Sequence, residues 1–319
     1  MAATYRAVML TKPGGPEALQ IVELPVESPG AGQLRVRVRA AGVGSTDLIV
    51  LSGNYLYAPK TPFVPGYEIA GEVEAVGAGV TGFKVGQRVA ALTVYGGFAE
   101  MIVRDAGHFL PIPGDVSDRD AAAVILNYVT AWQMIHRVAK VRPGETALIT
   151  GASGGVGTAA LQLLRLAGVK TYGAASASKH ELLRSLGATL IDYRSGPIDR
   201  LTRALEPNGV DYVFDAIGGA NIGPCIGAMR RGGTLVAFGF VAASTKLAQL
   251  AMFANIFLGA RLRGRLGASS MALPCCTGRT PRHCVRTFPK FSRCSALGKS
   301  IRESTARSRF WMRKRHSNF

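Results

Sequence analysis

A glycine-rich segment between an apolar run and a helical pattern holds the residues best suited to chemistry in this chain. Residues 146–160 read TALITGASGGVGTAA, and Ala152, Gly154 and Gly157 form the A-x-G-x-x-G version of a dinucleotide-binding fingerprint. Gly154 has no Cβ to keep a pyrophosphate from the backbone, and Gly157 lets the helix pack closely on its strand. A helix N-terminus also presents N–H donors and a positive dipole end to phosphates. The pattern therefore predicts a dinucleotide site rather than an ordinary turn.

The predicted phosphate contacts come from the whole segment and the first turn of its helix. They are Ala152, Ser153, Gly154, Gly155, Val156 and Gly157.

The stretch after the next predicted strand decides which coenzyme fits. An NAD enzyme keeps an Asp or Glu about 20 residues past the fingerprint, where it binds the ribose hydroxyls. Residues 173–179 read GAASASK and contain no acid. Hydroxyls and an ammonium would bind a 2′-phosphate, so the segment favours NADPH. The alternative for Lys179 is a solvated lysine with no ligand.

The other chemistry-bearing residue types form no convincing site. The five histidines do not cluster with acids or serines, so a hydrolytic triad has no support. Four of the five cysteines fall near the C-terminus without paired C-x-x-C spacing, which favours incidental cysteines over a zinc site. They are Cys275, Cys276, Cys284 and Cys294.

Two different sequence patterns predict the elements that position these residues. Up to about residue 125 alternating apolar and polar residues predict strands, and Ser117 to Asp120 predict a capped helix start. From about residue 126 strands and helices alternate, as in parallel βαβ units of a doubly wound sheet. The predicted strands of the first part are 34–43, 68–77, 86–92 and 97–104. After the fingerprint the predicted strands are 169–175, 188–193, 211–219 and 232–239, and the predicted helices are 178–186, 198–205 and 222–229.

The pattern disappears after about residue 264. Residues 261–319 hold 15 Lys and Arg against one acid, Glu303, in a chain whose formal net charge is +18. We interpret 264–319 as an atypical basic tail, disordered, and hypothesise that a frameshift or altered splice produced it. Such a tail could bind phosphates non-specifically, but without a folded motif it does not favour nucleic-acid binding as the function.

The N-terminal sequence MAATYRAVML lacks a basic region followed by a long apolar core. The longest apolar stretch, 247–260, is too short and too interrupted to span a bilayer. We expect a cytoplasmic protein with no membrane partner.

Several motifs together resemble the zinc-independent medium-chain dehydrogenase/reductases, in particular the quinone oxidoreductase (zeta-crystallin-like) group and the related vesicle amine transport proteins. Besides the fingerprint, they are AAGVGSTDLIVLSGNY (40–55), PGYEIAGEVEAVGAGV (65–80), VGQRV (85–89), NYVTAW (127–132) and SASKHELLRSLGA (176–188). The resemblance implies an α/β fold: a GroES-like β-rich domain over 1–125 and a Rossmann NADPH-binding domain over 126–263, its last strands missing. Because the family pairs subunits through a following strand, we expect the homodimer to be lost.

The resemblance also assigns roles to residues. Ser176, Lys179 and Tyr193 would form the 2′-phosphate pocket, and Thr130 would lie beside the nicotinamide. Ser45 and Tyr55, on a cleft-facing loop, would be catalytic. Tyr55 would donate to the substrate oxygen, with packing against the coenzyme as the alternative.

Two acids and one further tyrosine complete the resemblance. Asp47 would have a structural or orienting role, and Glu68 would support the turn. Zinc-dependent relatives carry Cys and His where this chain has Ser45 and Tyr67, so we expect no metal.

The implied function is NADPH-dependent hydride transfer to quinones or α,β-unsaturated carbonyls, impaired if the altered C-terminus removes part of the nicotinamide pocket. One alternative is an enoyl or acyl-thioester reductase. Another is a catalytically weak NADPH-binding protein.

Overall fold

The computed structural model describes residues 3–55 and 58–239, together with Leu247 and Ser269–Ser270. The described residues up to Val129 form one compact unit, and those from Thr130 on form another. Apart from the two serines, the tail predicted to be disordered, 264–319, lies outside the described residues.

The first unit is built on antiparallel strands. A hairpin pairs β1 (Thr4–Leu10) with β2 (Leu19–Pro25). A five-stranded sheet contains β3 (Gln33–Ala41), β4 (Glu68–Val76), β5 (Arg88–Leu92), β6 (Met101–Asp105) and β7 (Phe109–Pro111), in the spatial order β6-β3-β4-β5-β7. Helix α1 (Ser45–Leu51) follows β3, and α2 (Asp118–Trp132) follows β7.

Strand β3 shows why this sequence forms a sheet. Leu34 and Val36 are fully buried, whereas the alternate residues Arg35 and Arg37 each form an ion pair with Glu74 on β4, on the other face. Period-two alternation places apolar side chains on one face and charged ones on the other. The strand predicted over 34–43 is therefore confirmed.

Helix α2 begins where the sequence predicts a cap. The Ser117 hydroxyl accepts the Asp120 N–H at 3.1 Å and donates to the Asp120 carboxylate at 2.8 Å. This satisfies one of the donors that every helix start leaves open. A π-helix, Gln133–Ala139, follows α2 and was not predicted.

The second unit is a parallel sheet with alternating helices. Its strands are β8 (Thr146–Thr150), β9 (Lys170–Ala175), β10 (Thr189–Asp192), β11 (Val210–Asp215), β12 (Met229–Ala237) and β13 (Ser269–Ser270). Its helices are α3 (Gly155–Leu166), α4 (His180–Ser185), α5 (Ile198–Leu205) and α6 (Ile222–Ala228). The strands lie in the order β10-β9-β8-β11-β12-β13, the doubly wound arrangement in which the order reverses beside the first strand.

The parallel sheet has one strand more than the sequence predicts. We expected no strand after the fifth, but Ser269–Ser270 pairs in parallel with Val236 and Ala237 as a short sixth strand. Two serines carry no hydrophobic period, so the pattern of the sequence could not reveal this strand.

None of the helices in the described part of the chain combines the length and apolar character needed to cross a membrane.

Candidate functional site

Three predicted segments meet at the carboxyl edge of the parallel sheet. Strands β8, β9 and β10 are neighbours, with Thr150 opposite Ala174 and Asp192 opposite Ala175. The residues that follow these strands therefore emerge side by side, at the edge where doubly wound sheets bind their ligands. The segments are the fingerprint (152–157) after β8, Ser176 to Lys179 after β9, and Tyr193 after β10.

The two motif glycines are in opposite environments. Gly154 is the exposed N-cap of α3, and an added Cβ would meet only the Gly151 carbonyl oxygen, at 3.3 Å. Gly157 is buried, and a Cβ there would lie 2.5 Å from the Gly151 oxygen and 2.8 Å from the Ala152 backbone. Position 154 is thus exposed at the helix start with one close backbone neighbour, while position 157 is filled by close contact between helix and strand.

The rest of the fingerprint adjoins this exposed helix start. Ala152 is fully buried and its N–H donates to the Ala174 carbonyl at 3.2 Å, which fixes the segment to β9. Ser153 and Val156 are half-buried, and Gly155 is exposed. The first N–H groups of a twelve-residue helix have no partner within the helix, so this end of α3 can accept an anion.

The residues assigned to a 2′-phosphate are accessible at the same edge. The Ser176 hydroxyl lies 3.2 Å from that of Ser178, and the half-buried Lys179 ends a short 3₁₀ turn. Tyr193 is 51% exposed, and the Arg194 guanidinium carbon lies 5.9 Å from its ring centroid.

Two charged residues at this edge are not among the predicted site residues. Arg194 adds a cation beside Tyr193, and the half-buried Asp192 accepts the Arg194 N–H at 3.0 Å. Both could have been found by reading the end of β10 as closely as the end of β9.

Thr130 is not part of the strand edge. It lies in α2, which precedes β8, and its side chain is buried, with 7% exposure.

In the first unit, Ser45 and Tyr55 are on different local structures. Both were expected on a loop, but Ser45 is the exposed first residue of α1, so for Ser45 the expectation is wrong. Within this helix, Leu48 to Leu51 form one continuous apolar run, which does not distinguish a helix from a strand. Tyr55 follows α1 and is half-buried.

Tyr55 is in contact with Tyr67. Their hydroxyl oxygens lie 2.6 Å apart, and the rings meet edge to face at a centroid distance of 6.1 Å. Tyr67 is 2% exposed, and its carbonyl accepts the N–H groups of Thr93 and Val94. A buried hydroxyl thus shares a hydrogen bond with a more accessible one, and either can be the donor.

Two buried carboxyl groups also lie in this unit. Asp47 is 2% exposed; its Oδ2 accepts the Gly44 N–H at 2.8 Å, and its Oδ1 has no hydrogen-bond partner among the described residues. Glu68 is 5% exposed and accepts the Leu126 N–H at 2.6 Å.

Burial raises the pKa of both groups. The pKa of Glu68 rises to about 7, chiefly through desolvation and further through the charge of Asp47. Desolvation likewise raises the pKa of Asp47. Glu68 therefore holds a proton over part of the neutral range, which its sequence motif alone did not indicate.

The residues do not fit a zinc site. Neither Ser45 nor Tyr67 is a usual zinc ligand, and the Tyr67 hydroxyl is engaged with Tyr55. Within residues 3–55 and 58–239, no group of three or more His, Cys, Asp or Glu could hold a metal ion. Zinc independence stays a prediction.

One acid at the sheet edge was missed altogether. Asp215, the last residue of β11, is fully buried and accepts hydrogen bonds from several neighbouring groups. An acid ending an otherwise apolar strand, DYVFD, was the available signal.

Two family models match the chain. Residues 30–114 match the alcohol dehydrogenase GroES-like domain, and residues 155–277 match the family described as zinc-binding dehydrogenase.

Individual proteins are also similar to this chain in amino-acid sequence. Rat (Rattus norvegicus) quinone oxidoreductase is 32% identical over 239 residues, which cover 73% of this chain and 73% of that protein. The human (Homo sapiens) synaptic vesicle membrane protein VAT-1 homolog-like is 37% identical over 239 residues, 75% of this chain, and the match spans only 57% of the length of that relative.

A crystal structure of human synaptic vesicle membrane protein VAT-1 homolog-like protein superposes with a TM-score of 0.76 at 28% identity. The superposition covers 94% of this chain and 87% of that one.

Proposed function

This chain belongs to the quinone oxidoreductase-like group of the medium-chain dehydrogenase/reductase family, and from that premise we propose that it is a zinc-independent oxidoreductase that uses NADPH to reduce quinones or α,β-unsaturated carbonyls. The observation that carries the proposal is the carboxyl edge of the parallel sheet. There the exposed Gly154 and the start of α3 lie beside a segment, 173–179, that contains Lys179 and no acid.

When bound, NADPH supplies the hydride. The start of α3 would bind its pyrophosphate through backbone N–H groups, because no Cβ at Gly154 intervenes. Lys179 and the hydroxyls of Ser176 and Tyr193 would hold the 2′-phosphate, and Arg194 adds charge of the same sign. An acid in 173–179 would repel that phosphate, and its absence from the segment is what favours NADPH over NADH.

Reduction of a quinone or enone leaves negative charge on the substrate oxygen. A hydrogen-bond donor placed at that oxygen stabilises the charge, and proton transfer completes the reaction. Tyr55 is the proposed donor, because its hydroxyl is half-buried and in contact with that of Tyr67. Ser45, exposed at the start of α1, is the second proposed catalytic group, and Thr130 is proposed to line the nicotinamide side.

Coenzyme binding by the full chain tests the proposal. Wild type should bind NADPH at least tenfold more tightly than NADH in calorimetric titrations, since a charge-assisted phosphate contact contributes on that scale. Lys179→Gln should remove most of that preference. Lys170→Gln is the matched control, because Lys170 lies at the opposite end of β9 and pairs with Glu206. A wild-type chain that binds neither coenzyme would refute the enzymatic assignment.

A turnover assay separates the remaining alternatives. NADPH-dependent reduction of a simple quinone supports the proposal, and near-normal rates would refute impairment by the C-terminal segment. Reduction confined to an enoyl thioester would assign the chain to the acyl-thioester alternative. Tight NADPH binding without turnover on either substrate would identify a coenzyme-binding protein.

A further inference from the structure

A threonine and an aspartate end the two strands at which the order of the sheet reverses. Thr150 is the last residue of β8 and Asp215 the last of β11; their exposures are 3% and 0%. The Thr150 hydroxyl donates to Asp215 Oδ1 at 2.5 Å and accepts the N–H of Ala216 at 3.1 Å. One hydroxyl thus fixes both the carboxylate and the first residue of the loop after β11.

The Asp215 carboxylate organises the rest of that loop. Its Oδ2 accepts the Gly218 N–H at 2.7 Å, and its Oδ1 accepts the side-chain amide of Asn221 at 2.7 Å and the Ile217 N–H at 3.3 Å. Hydrogen bonds to a charged acceptor are stronger than neutral ones, and a buried one is costly to lose. The conformation of residues 216–218 therefore depends on this side chain.

The same loop is packed against the loops that follow β8 and β12. A Cβ on Gly151 would lie 3.0 Å from the Ala216 Cβ, and one on Gly239 would lie 2.2 Å from the Ala216 oxygen. The Asp215 carbonyl also accepts the Phe238 N–H at 2.9 Å. A shift of the loop after β11 would therefore displace Gly151, which immediately precedes the fingerprint.

We propose that Thr150 and Asp215 form a clamp that positions the coenzyme-binding loops at the switch point of the sheet. This inference rests on the proposed function, since it assumes that NADPH binds at this edge. Neither residue needs to touch the coenzyme: they bind the backbone N–H groups of residues 216–218 and so fix the loop that packs against the start of the fingerprint. Both are positioning residues.

The chain contains a matched control for this clamp. Thr146 and Asp211 join the same two strands at their amino ends: the Thr146 N–H and hydroxyl each donate to Asp211 Oδ2 at 2.8 Å, and the Asp211 N–H donates to the Thr146 hydroxyl at 3.1 Å. That pair has the same threonine–aspartate hydrogen bond, with Asp211 also paired to Arg230, but lies at the edge away from the fingerprint. A purely structural contribution should be common to both pairs, and a positioning role belongs only to Thr150 and Asp215.

The experiment compares Thr150→Val, Thr150→Ser and Thr146→Val in the full chain, with two measurements. The first is amide hydrogen exchange of residues 216–218 in the free protein; the second is the Kd for NADPH. Thr150→Val should speed the exchange about tenfold and raise the Kd about tenfold. This is the scale expected for the loss of one hydrogen bond to a charged group. Thr150→Ser keeps the hydroxyl and should restore both values to within about twofold. Thr146→Val should change neither.

If Thr150→Val does not fold, Asn221→Ala removes another donor to Asp215 and should reproduce both effects. Equal values for Thr150→Val and Thr146→Val in both measurements would overturn the clamp. Wild type that binds neither NADPH nor NADH would instead overturn the proposed function. The exchange data on the free chain would then still decide whether Thr150 fixes the loop.

Discussion

At the scale of single residues, the first unit contains a buried acid whose charged form is destabilised by the loss of hydration. Glu68 is 5% exposed, and desolvation raises its pKa to about 7 from 4.5. Between those pH values the folded chain keeps a proton that the unfolded chain has released. The free energy of unfolding contributed by this group is therefore highest at low pH and falls as the pH rises through that window.

Glu68→Gln should remove this pH dependence. The amide cannot ionise and its oxygen can still accept the Leu126 N–H. When the pH is raised from 5 to 8, the free energy of unfolding of wild type should fall by about 2 kcal/mol more than that of the variant. Urea unfolding at the two pH values measures this difference. Glu72→Gln, a partly exposed position on the same strand, is the control, and parallel pH profiles for wild type and Glu68→Gln would contradict the prediction.

The Tyr55 hydroxyl can be tested separately from its ring. Tyr55→Phe keeps the packing against Tyr67 but removes the proposed donor, so kcat for quinone reduction should fall about tenfold or more while the Kd for NADPH stays constant. Tyr95→Phe is the control, because Tyr95 is 45% exposed and lies under Arg104 instead. An unchanged kcat would support the alternative in which Tyr55 only packs.

At the scale of elements, the contact between α3 and β8 separates two uses of glycine. Gly157 is required because a side chain would collide with the backbone of residues 151 and 152, whereas a Cβ on the exposed Gly154 would make a single close contact, 3.3 Å from the Gly151 oxygen. The motif predicts both uses of glycine, and the packed strand and helix show the close contact at Gly157.

The variants Gly157→Ala and Gly154→Ala should therefore behave differently. Gly157→Ala should lower the free energy of unfolding by about 2 kcal/mol or more, since overpacking against backbone cannot be relieved by a side-chain movement. Gly154→Ala should leave thermal unfolding within a few degrees of wild type but raise the Kd for NADPH about tenfold. Thermal scans and titrations measure the two effects, and equal loss of stability in both variants would contradict this division.

The elements themselves were predictable where the period is long and regular. The alternation in β3 and the βαβ rhythm from β8 to β12 predict those elements within a few residues, because burial of one face imposes the pattern. Helix α1 was missed because Leu48 to Leu51 form one continuous apolar run without helical spacing, and strand β13 because two residues are too few to show a period. The Ser117 cap was predictable, since its chemistry is local.

At the scale of the whole molecule, a ligand that binds only the folded chain must stabilise it. If NADPH docks at the carboxyl edge of the second unit, a concentration of 100 times its Kd should raise the free energy of unfolding by about 2.7 kcal/mol. The same concentration of NADH should have a smaller effect. Thermal unfolding of the full chain with each coenzyme measures this, and equal midpoints with and without NADPH would count against binding.

The amino-acid sequence by itself determined the family, the two patterns of secondary structure and the fingerprint at 152–157. These follow from local periods and from glycines at fixed spacing, which a linear pattern can record. The predicted absence of zinc rests on residue types alone and stays a prediction, as do the cytoplasmic location and the loss of the homodimer.

Only the tertiary structure decided which polar groups are buried and which of them meet. Thr150 and Asp215 are 65 residues apart in the chain, yet they share a hydrogen bond because β8 and β11 are neighbours in the sheet. The contact between Tyr55 and Tyr67 and the desolvation of Glu68 arise in the same way, from packing of segments distant in sequence. Burial and hydrogen bonding depend on distance in space, which no period along the chain encodes.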